Sequence, residues 1–314
     1  MLGRVVGRFR IVEKIGEGGM GTVWKAEDVS TGEVVALKFL NLSAATSIRH
    51  RRRFLREARA VSSLQHPGVP AVLEAAELDG ELYIAGEFVD GKTVADLIAS
   101  GPLPLIEAVR IASEAARVIE HAHVKGVVHR DITSSNIMYA RDGTVKVIDF
   151  GLALLRNASA LTSSATTLGT IGYISPEMLS GKAAGRHADV YGLGVVLFEM
   201  TTGRLPFLGE QIAAQVNAIL NSRPPRPSDI RPEIGPKLER AIMKAMAREP
   251  KRRHPSAAEL ADALQAIPLP ETRRAPASRG AGRATRKVDF PEDKILAVLP
   301  FEERVVTRIV SRVE

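Results

Sequence analysis

The chain has 314 residues, 45% apolar and 25% charged, which is enough for a sizeable core in one large domain or two lobes. It contains no Cys, which excludes disulfides, thiolate zinc sites and cysteine nucleophiles together. No apolar run reaches the roughly 20 residues that cross a bilayer, and the Met1 end lacks the apolar segment of a signal peptide, so the reading is a soluble, cytoplasmic protein without a membrane span. The net charge of +7 fits contact with phosphate on a nucleotide or a protein. It does not point to nucleic acid, because the Arg residues are scattered and not interleaved with aromatics.

Phe9 to Ile15 alternates like a strand, and Thr22 to Glu27 resumes an extended pattern. Between them stands Gly16-Glu17-Gly18-Gly19-Met20-Gly21. A strand–turn–strand context excludes a dinucleotide fingerprint, and Thr22 directly after Gly21 excludes a Walker loop. Taken alone, the glycine run fits a plain hairpin equally well. Its other use is to let backbone N–H groups approach phosphates. Val34 to Leu40 is a strand run interrupted by Lys38, and a lone Lys at a strand edge is usually solvated. Ile48 to Leu64 reads as a helix, with Phe54, Leu55, Ala58 and Val61 at helical spacing and Glu57 among them. The same helix carries Arg49, Arg51, Arg52, Arg53, Arg56 and Arg59, which by itself suggests a solvated face. Pro67 and Gly68 end it. Strands follow over Ala71 to Glu77 and Glu81 to Phe88, the second interrupted by Gly86. Glycine inside a strand often marks close approach of a ligand.

Thr93 to Ser100 reads as a short helix and Pro104 to Lys125 as a long one, with Ile106, Val109, Ala112, Ala116, Ile119 and His123 near one face. His121 and His123, two apart on a helix, point to different sides, which favours packing over metal binding. Gly126 stops the helix. Then comes His129-Arg130-Asp131-Ile132-Thr133-Ser134-Ser135-Asn136, followed by Lys146-Val147-Ile148-Asp149-Phe150-Gly151. Carboxylate and amide oxygens of this kind suit Mg²⁺. Asn157 to Leu168 is polar and rich in Ser and Thr, as an exposed loop would be. Asp189 to Met200 is almost wholly apolar, with one Asp at its start, which predicts a buried helix. Ser256 caps the last helix, which ends near Ile267. Pro268 to Lys287 has the composition of a basic linker. Ile295 to Val310 holds an apolar set interrupted by Pro300, suited to two short amphipathic helices and too short for an independent core.

Together, the His-Arg-Asp and Asp-Phe-Gly segments, Ser175-Pro176-Glu177 and the Gly-Glu-Gly-Gly-Met-Gly turn resemble the eukaryotic-like serine/threonine protein kinases of bacteria, in the right order over about residues 9 to 267. The resemblance implies an α+β, two-lobed fold: a small antiparallel sheet lobe with one helix above a larger, mainly helical lobe. The expected boundaries are 1–89 and 90–267 for the lobes, 268–288 for the linker and 289–314 for the amphipathic tail. It implies transfer of the ATP γ-phosphate to protein Ser or Thr hydroxyls, with Mg²⁺, or Mn²⁺ in its place. Asp131 becomes the base, and Asn136 and Asp149 the metal ligands. Lys38 holds the phosphates and pairs with Glu57. Ile15, Gly16, Gly18, Gly21, Val23, Ala36, Lys38, Glu87, Val89 and Met138 surround the nucleotide. Val23, Ala36 and Met138 sandwich the adenine, and backbone groups of Glu87 and Val89 meet its edge. Gly86 falls where the family usually carries a larger side chain, so a cavity should extend behind the adenine.

The resemblance also implies that Asp189 ties the catalytic loop to its helix and that Arg253 pairs with Glu177. Thr170 favours Ser/Thr acceptors. Thr162, Ser163, Ser164, Thr166 and Thr167 are candidate phosphoacceptors, read out by Arg130 and Arg53. The sequence departs from the family at Thr133, where Lys is usual, and at Ser134, where Pro is usual. A hydroxyl at 133 brings no charge to the phosphate. A nucleotide-binding pseudokinase that signals as a scaffold is therefore the alternative. Residues 289–314 are the candidate surface for self-association or partner docking.

Overall fold

Alternation along β4 (Val34–Leu40) sets up the upper lobe. In the computed structural model, Val35, Leu37 and Phe39 point into one core with Phe9, Ile11, Ala26, Tyr83 and Ala85. Ala36 and Lys38 therefore face the other side, because strand side chains alternate with period two. The structure describes residues 1–18, 21–40, 48–150, 168–209 and 211–268, apart from the side chains of 48–54 and 168–169.

Six strands form this antiparallel sheet. With β1 (Val5–Val6), β2 (Phe9–Gly18), β3 (Gly21–Asp28), β5 (Val72–Leu78) and β6 (Glu81–Glu87), the order is β1-β2-β3-β4-β6-β5. Register sets Val23 opposite Lys38 and Ala36 opposite Gly86. Gly21 has φ +149°, and a Cβ there would lie 1.8 Å from the Phe39 carbonyl oxygen, so only glycine lets β3 start against β4. The helix α1 (Ile48–Ser62) follows β4.

The lower lobe begins with a three-stranded sheet of β7 (Gly91–Thr93), β8 (Ile137–Ala140) and β9 (Val145–Val147). The helix α2 (Val94–Ile98) starts at a capping box, in which Thr93 and Asp96 satisfy each other's backbone N–H. The helices α3 (Leu105–Val124), α4 (Leu168–Ile171), α5 (Pro176–Leu179), α6 (Arg186–Thr202), α7 (Ile212–Asn221), α8 (Pro227–Ile230), α9 (Pro236–Ala245) and α10 (Ala257–Gln265) complete it. Ser256 Oγ caps α10 by accepting from Glu259 N. The main core joins α3, α6, α9 and α10 and takes in Val61, Leu64, Val147 and Phe150 from the neighbourhood of the cleft.

Helix α6 is buried from Ala188 to Phe198, as its apolar sequence predicts. Each large side chain there contributes about 1.5–3 kcal/mol of burial. A Cβ at Gly192 would come within 2.8 Å of Ile132 Cβ, so this glycine lets α6 lie directly under the His129–Asn136 loop. Among the described residues, no helix is long and apolar enough to cross a membrane.

Candidate active site

The loop that carries Asp131 is built on one buried carboxylate. Asp189, in the first turn of α6, is 1% exposed. Its Oδ2 accepts from His129 N at 2.8 Å and its Oδ1 from Arg130 N at 2.7 Å. His123 Nε2, from α3, lies 2.7 Å from the same Oδ2. The sequence suggested the tie between Asp189 and the loop; it offered no sign that His123 joins it. Arg130 and Asp149 have φ of +66° and +63°, a conformation that is costly for residues with a side chain; at Arg130 the hydrogen bond to Asp189 holds it.

His129 links the two acidic segments. Its Nε2 lies 2.8 Å from the Ile148 carbonyl oxygen, and its ring packs 4.6 Å from that of Phe150. Asp131 N donates to His129 Nδ1 at 3.3 Å. Asn136 Nδ2 donates to Asp131 O at 2.8 Å and lies 3.3 Å from Asp131 Oδ2. Ile148 N donates back to Asn136 O at 2.9 Å. Asp131 and Asn136 are thus tied to each other, and the segment of Asp149 is joined to them through Ile148. Thr133 is buried at the start of the 3₁₀ turn Ser134–Asn136.

Above the loop lies a cavity enclosing about 200 Å³. Ile15, Val23, Ala36, Lys38, Glu87, Val89 and Met138 line it, together with Glu57, Gly86, Asp149 and Phe150. Gly16, Gly18 and Gly21 lie outside that lining, as do Asp131, Thr133 and Asn136. Ala58, Val61 and Val72 line the same cavity as Gly86. Gly86 also serves the fold, since a Cβ there would sit 3.0 Å from the Ala71 carbonyl oxygen.

Lys38 departs from expectation. Glu57 was its expected partner, but the ion pair formed is with Asp149, Nζ to Oδ2 at 2.6 Å. The backbone turn at Asp149 delivers its carboxylate to the same cavity wall, and Glu57 lines that wall as well.

Below the site, Arg253 and Glu177 form the expected pair, with both guanidinium ends used at 2.7 and 2.6 Å. The remaining Arg253 N–H directions go to the carbonyl oxygens of Ala247, His187 and Arg248. Burial alone would raise the Glu177 carboxyl. The hydrogen bonds and charge of Arg253 outweigh it and hold the group below its ordinary value.

A second buried network escaped the sequence reading. Tyr173 Oη donates to Glu199 Oε2 at 2.5 Å and lies 2.7 Å from Ser134 Oγ. Burial pushes Glu199 up, with Tyr173 and Ser134 opposing it in part; burial and the Glu199 charge push Tyr173 up. Ser134, read in the sequence only as a missing Pro, is the element that joins the loop to this network. Arg53 as a phosphate sensor, the phosphoacceptors Thr162, Ser163, Ser164, Thr166 and Thr167, and the tail 289–314 fall outside the described residues and side chains.

The protein kinase domain family matches residues 9–264. The chain belongs to that family. Within it, this kinase domain is 38% identical over 258 residues to the serine/threonine-protein kinase PrkC of Bacillus subtilis, which covers 82% of this chain and 40% of PrkC. It is 37% identical over 270 residues to the serine/threonine-protein kinase PknJ of Mycobacterium tuberculosis, covering 84% of this chain and 46% of PknJ. The chain thus spans less than half the length of these curated relatives. The crystal structure of the Mycobacterium tuberculosis PknI kinase domain superposes with a TM-score of 0.68 at 27% identity, covering 84% of this chain and 98% of that one. The two-lobed kinase fold follows from these matches and from the sheet and helices described above. A protein kinase domain uses ATP and a divalent metal, and acts on proteins.

Proposed function

We propose that this chain transfers the γ-phosphoryl group of ATP to Ser or Thr hydroxyls of proteins, its own residues 157–168 among them. One observation carries the reading: Asn136 is bonded to Asp131 and, through Ile148 N, to the segment that carries Asp149, and Lys38 meets Asp149 across the cleft. The relatives named serine/threonine-protein kinases favour this enzyme over the scaffold alternative.

The donors fit Mg²⁺, or Mn²⁺ in its place. The Asn136 amide nitrogen is committed to Asp131, which leaves the amide oxygen for a cation, and Asp149 supplies a carboxylate from the segment joined to it. Hard oxygen ligands of this number are what Mg²⁺ takes from proteins that also present phosphate. Bound there, the metal neutralises charge on the phosphates.

The chain's own residues do the rest. Asp131 accepts the proton of the acceptor hydroxyl and orients its oxygen for in-line attack. Lys38 holds the phosphates, and Glu57, on the same wall, is the second carboxylate it can turn to. Val23, Ala36 and Met138 pack on the adenine, and backbone groups of Glu87 and Val89 read its edge. A Cβ at Gly16 or Gly18 would meet open space. The fold therefore does not demand glycine there, whereas close approach of backbone to phosphate does. Thr133 offers a hydroxyl where Lys would offer charge, which slows the transfer. Thr170 selects Ser/Thr acceptors. Residues 289–314 bind a second copy or a partner protein.

The test is intact mass. Dephosphorylated chain is incubated with Mg-ATP beside Asp131→Asn. Phosphate gained by the wild type alone supports the reading, with fragmentation locating the sites. No gain, with Mg-ATP still raising the melting temperature, would replace it with a binding module.

A further inference from the structure

The segment that joins the lobes is clamped from below by a partly buried lysine. Lys146 lies on β9 in the lower lobe, and its Nζ donates to Glu87 Oε1 at 2.5 Å. The two side chains are only 12% and 9% exposed. Glu87 is the last residue of β6, and its other carboxylate oxygen accepts from Ala71 N at 2.9 Å. Its own backbone N–H donates to Ala71 O at 2.8 Å. Glu87 is thus held through its main chain and through both carboxylate oxygens. Beside this contact, Val147 N donates to Gly68 O at 2.8 Å, so β9 grips the upper lobe twice.

Four residues further along, the chain is fixed again. Gly91 pairs with Ala140 in the lower sheet, and Arg141 N donates to Asp90 O at 2.8 Å. Phe88 and Val89, between the two clamps, are buried. The peptide groups from Glu87 to Val89 are therefore anchored at both ends, and the clamp at the Glu87 end is electrostatic. A buried carboxylate that loses its cation is left uncompensated and must be rehydrated or neutralised, which moves the backbone that carries it. Groups held in place before a ligand arrives bind it without an ordering cost.

From this geometry we infer that Lys146 is a positioning residue for nucleotide binding: through the Glu87 carboxylate it fixes the backbone edge that meets the adenine. The inference rests on the kinase reading of the cleft. Nothing in the sequence marked Lys146, because a single Lys in a short strand reads as solvent-facing.

The test measures ADP affinity by calorimetry and the steady-state constants of Lys146→Met and Lys146→Arg in the full chain. Lys146→Met is expected to raise Kd for ADP and KM for ATP about tenfold while kcat and KM for the protein acceptor stay within about twofold, since only binding of one substrate is affected. Lys146→Arg should restore most of the loss, because it returns the cation. Glu87→Gln keeps the volume and an acceptor for Ala71 N, and should show the same split; it decides the matter if Lys146→Met does not fold. An unchanged KM for ATP in Lys146→Met or in Glu87→Gln overturns the inference. So does a joint fall in kcat, both affinities and melting temperature that Arg does not restore, since that marks a merely structural lysine. Wild-type chain that binds no ADP would overturn the reading of the cleft and this inference with it, whereas wild-type binding with unchanged variants overturns the inference alone.

Discussion

Two ion pairs in this molecule use the same kinds of charge for opposite ends. Arg253–Glu177 is bidentate, its arginine side chain is fully enclosed, and the remaining N–H groups each meet a carbonyl. Lys38–Asp149 has one contact, a flexible ammonium and side chains 12% and 26% exposed at the wall of a cavity. The first has no direction left in which to move. The second joins two groups that can each take another partner, Lys38 to phosphate or Glu57 and Asp149 to a cation. A saturated pair fixes architecture, and an unsaturated one beside a cavity is available for chemistry.

The sharpest break of this comparison is Arg253→Met. It is expected to cost roughly 3–5 kcal/mol, because a buried Glu177 is left behind. That corresponds to a melting temperature lower by about 10 °C for a domain of this size, read by calorimetry. Lys38→Met should do the reverse. It is expected to lower kcat about a hundredfold to a thousandfold in a radiolabel transfer assay, as loss of a single group aimed at developing charge does. Its melting temperature should move by only about 2 °C, the scale of a partly exposed pair. If both variants lost stability equally, the distinction between the two pairs would fall.

Acid sharpens the same contrast. The folded Glu177 carboxyl lies below its ordinary value of 4.5, so its contribution is complete above that pH and is lost as pH falls from there through the lowered value. Arg253→Met removes the cause, and denaturant titrations below pH 4.5 should show a flatter decline than the wild type.

A smaller effect concerns the cavity behind Gly86. A purine with a bulky apolar substituent should bind the wild type at least about tenfold more tightly than Gly86→Met, since the substituent and the methionine compete for the same apolar volume. Equal affinities in a displacement assay would remove Gly86 from that position. The smallest effect is expected of Thr133→Lys, a rise in kcat of about threefold to tenfold from charge added near the transferred phosphate.

What the sequence made legible was whatever sits in one contiguous run. The apolar run from Val34 placed Lys38 in a strand, the apolar run from Val190 placed α6 in the core, and the loop from His129 to Asn136 arrived as one motif. Partners across the chain were legible only through the family resemblance, as for Asp189 and Arg253. Where several carboxylates share one wall, even that fails: Lys38 was given Glu57 and meets Asp149, because rotamers and backbone turns decide between them and neither leaves a periodic trace. His123, Ser134 and Lys146 show the same limit. Each is an ordinary residue in an ordinary run until the fold brings Asp189, Tyr173 or Glu87 beside it.

The grip of Asp189 on the loop has a kinetic side. The backbone protons of His129 and Arg130 are donated to a carboxylate that belongs to α6. They can exchange with solvent deuterium only when the loop leaves that helix or the helix itself opens. Two amide exchange rates, followed on the intact protein, therefore report how often the loop that carries Asp131 comes apart, without any substrate present.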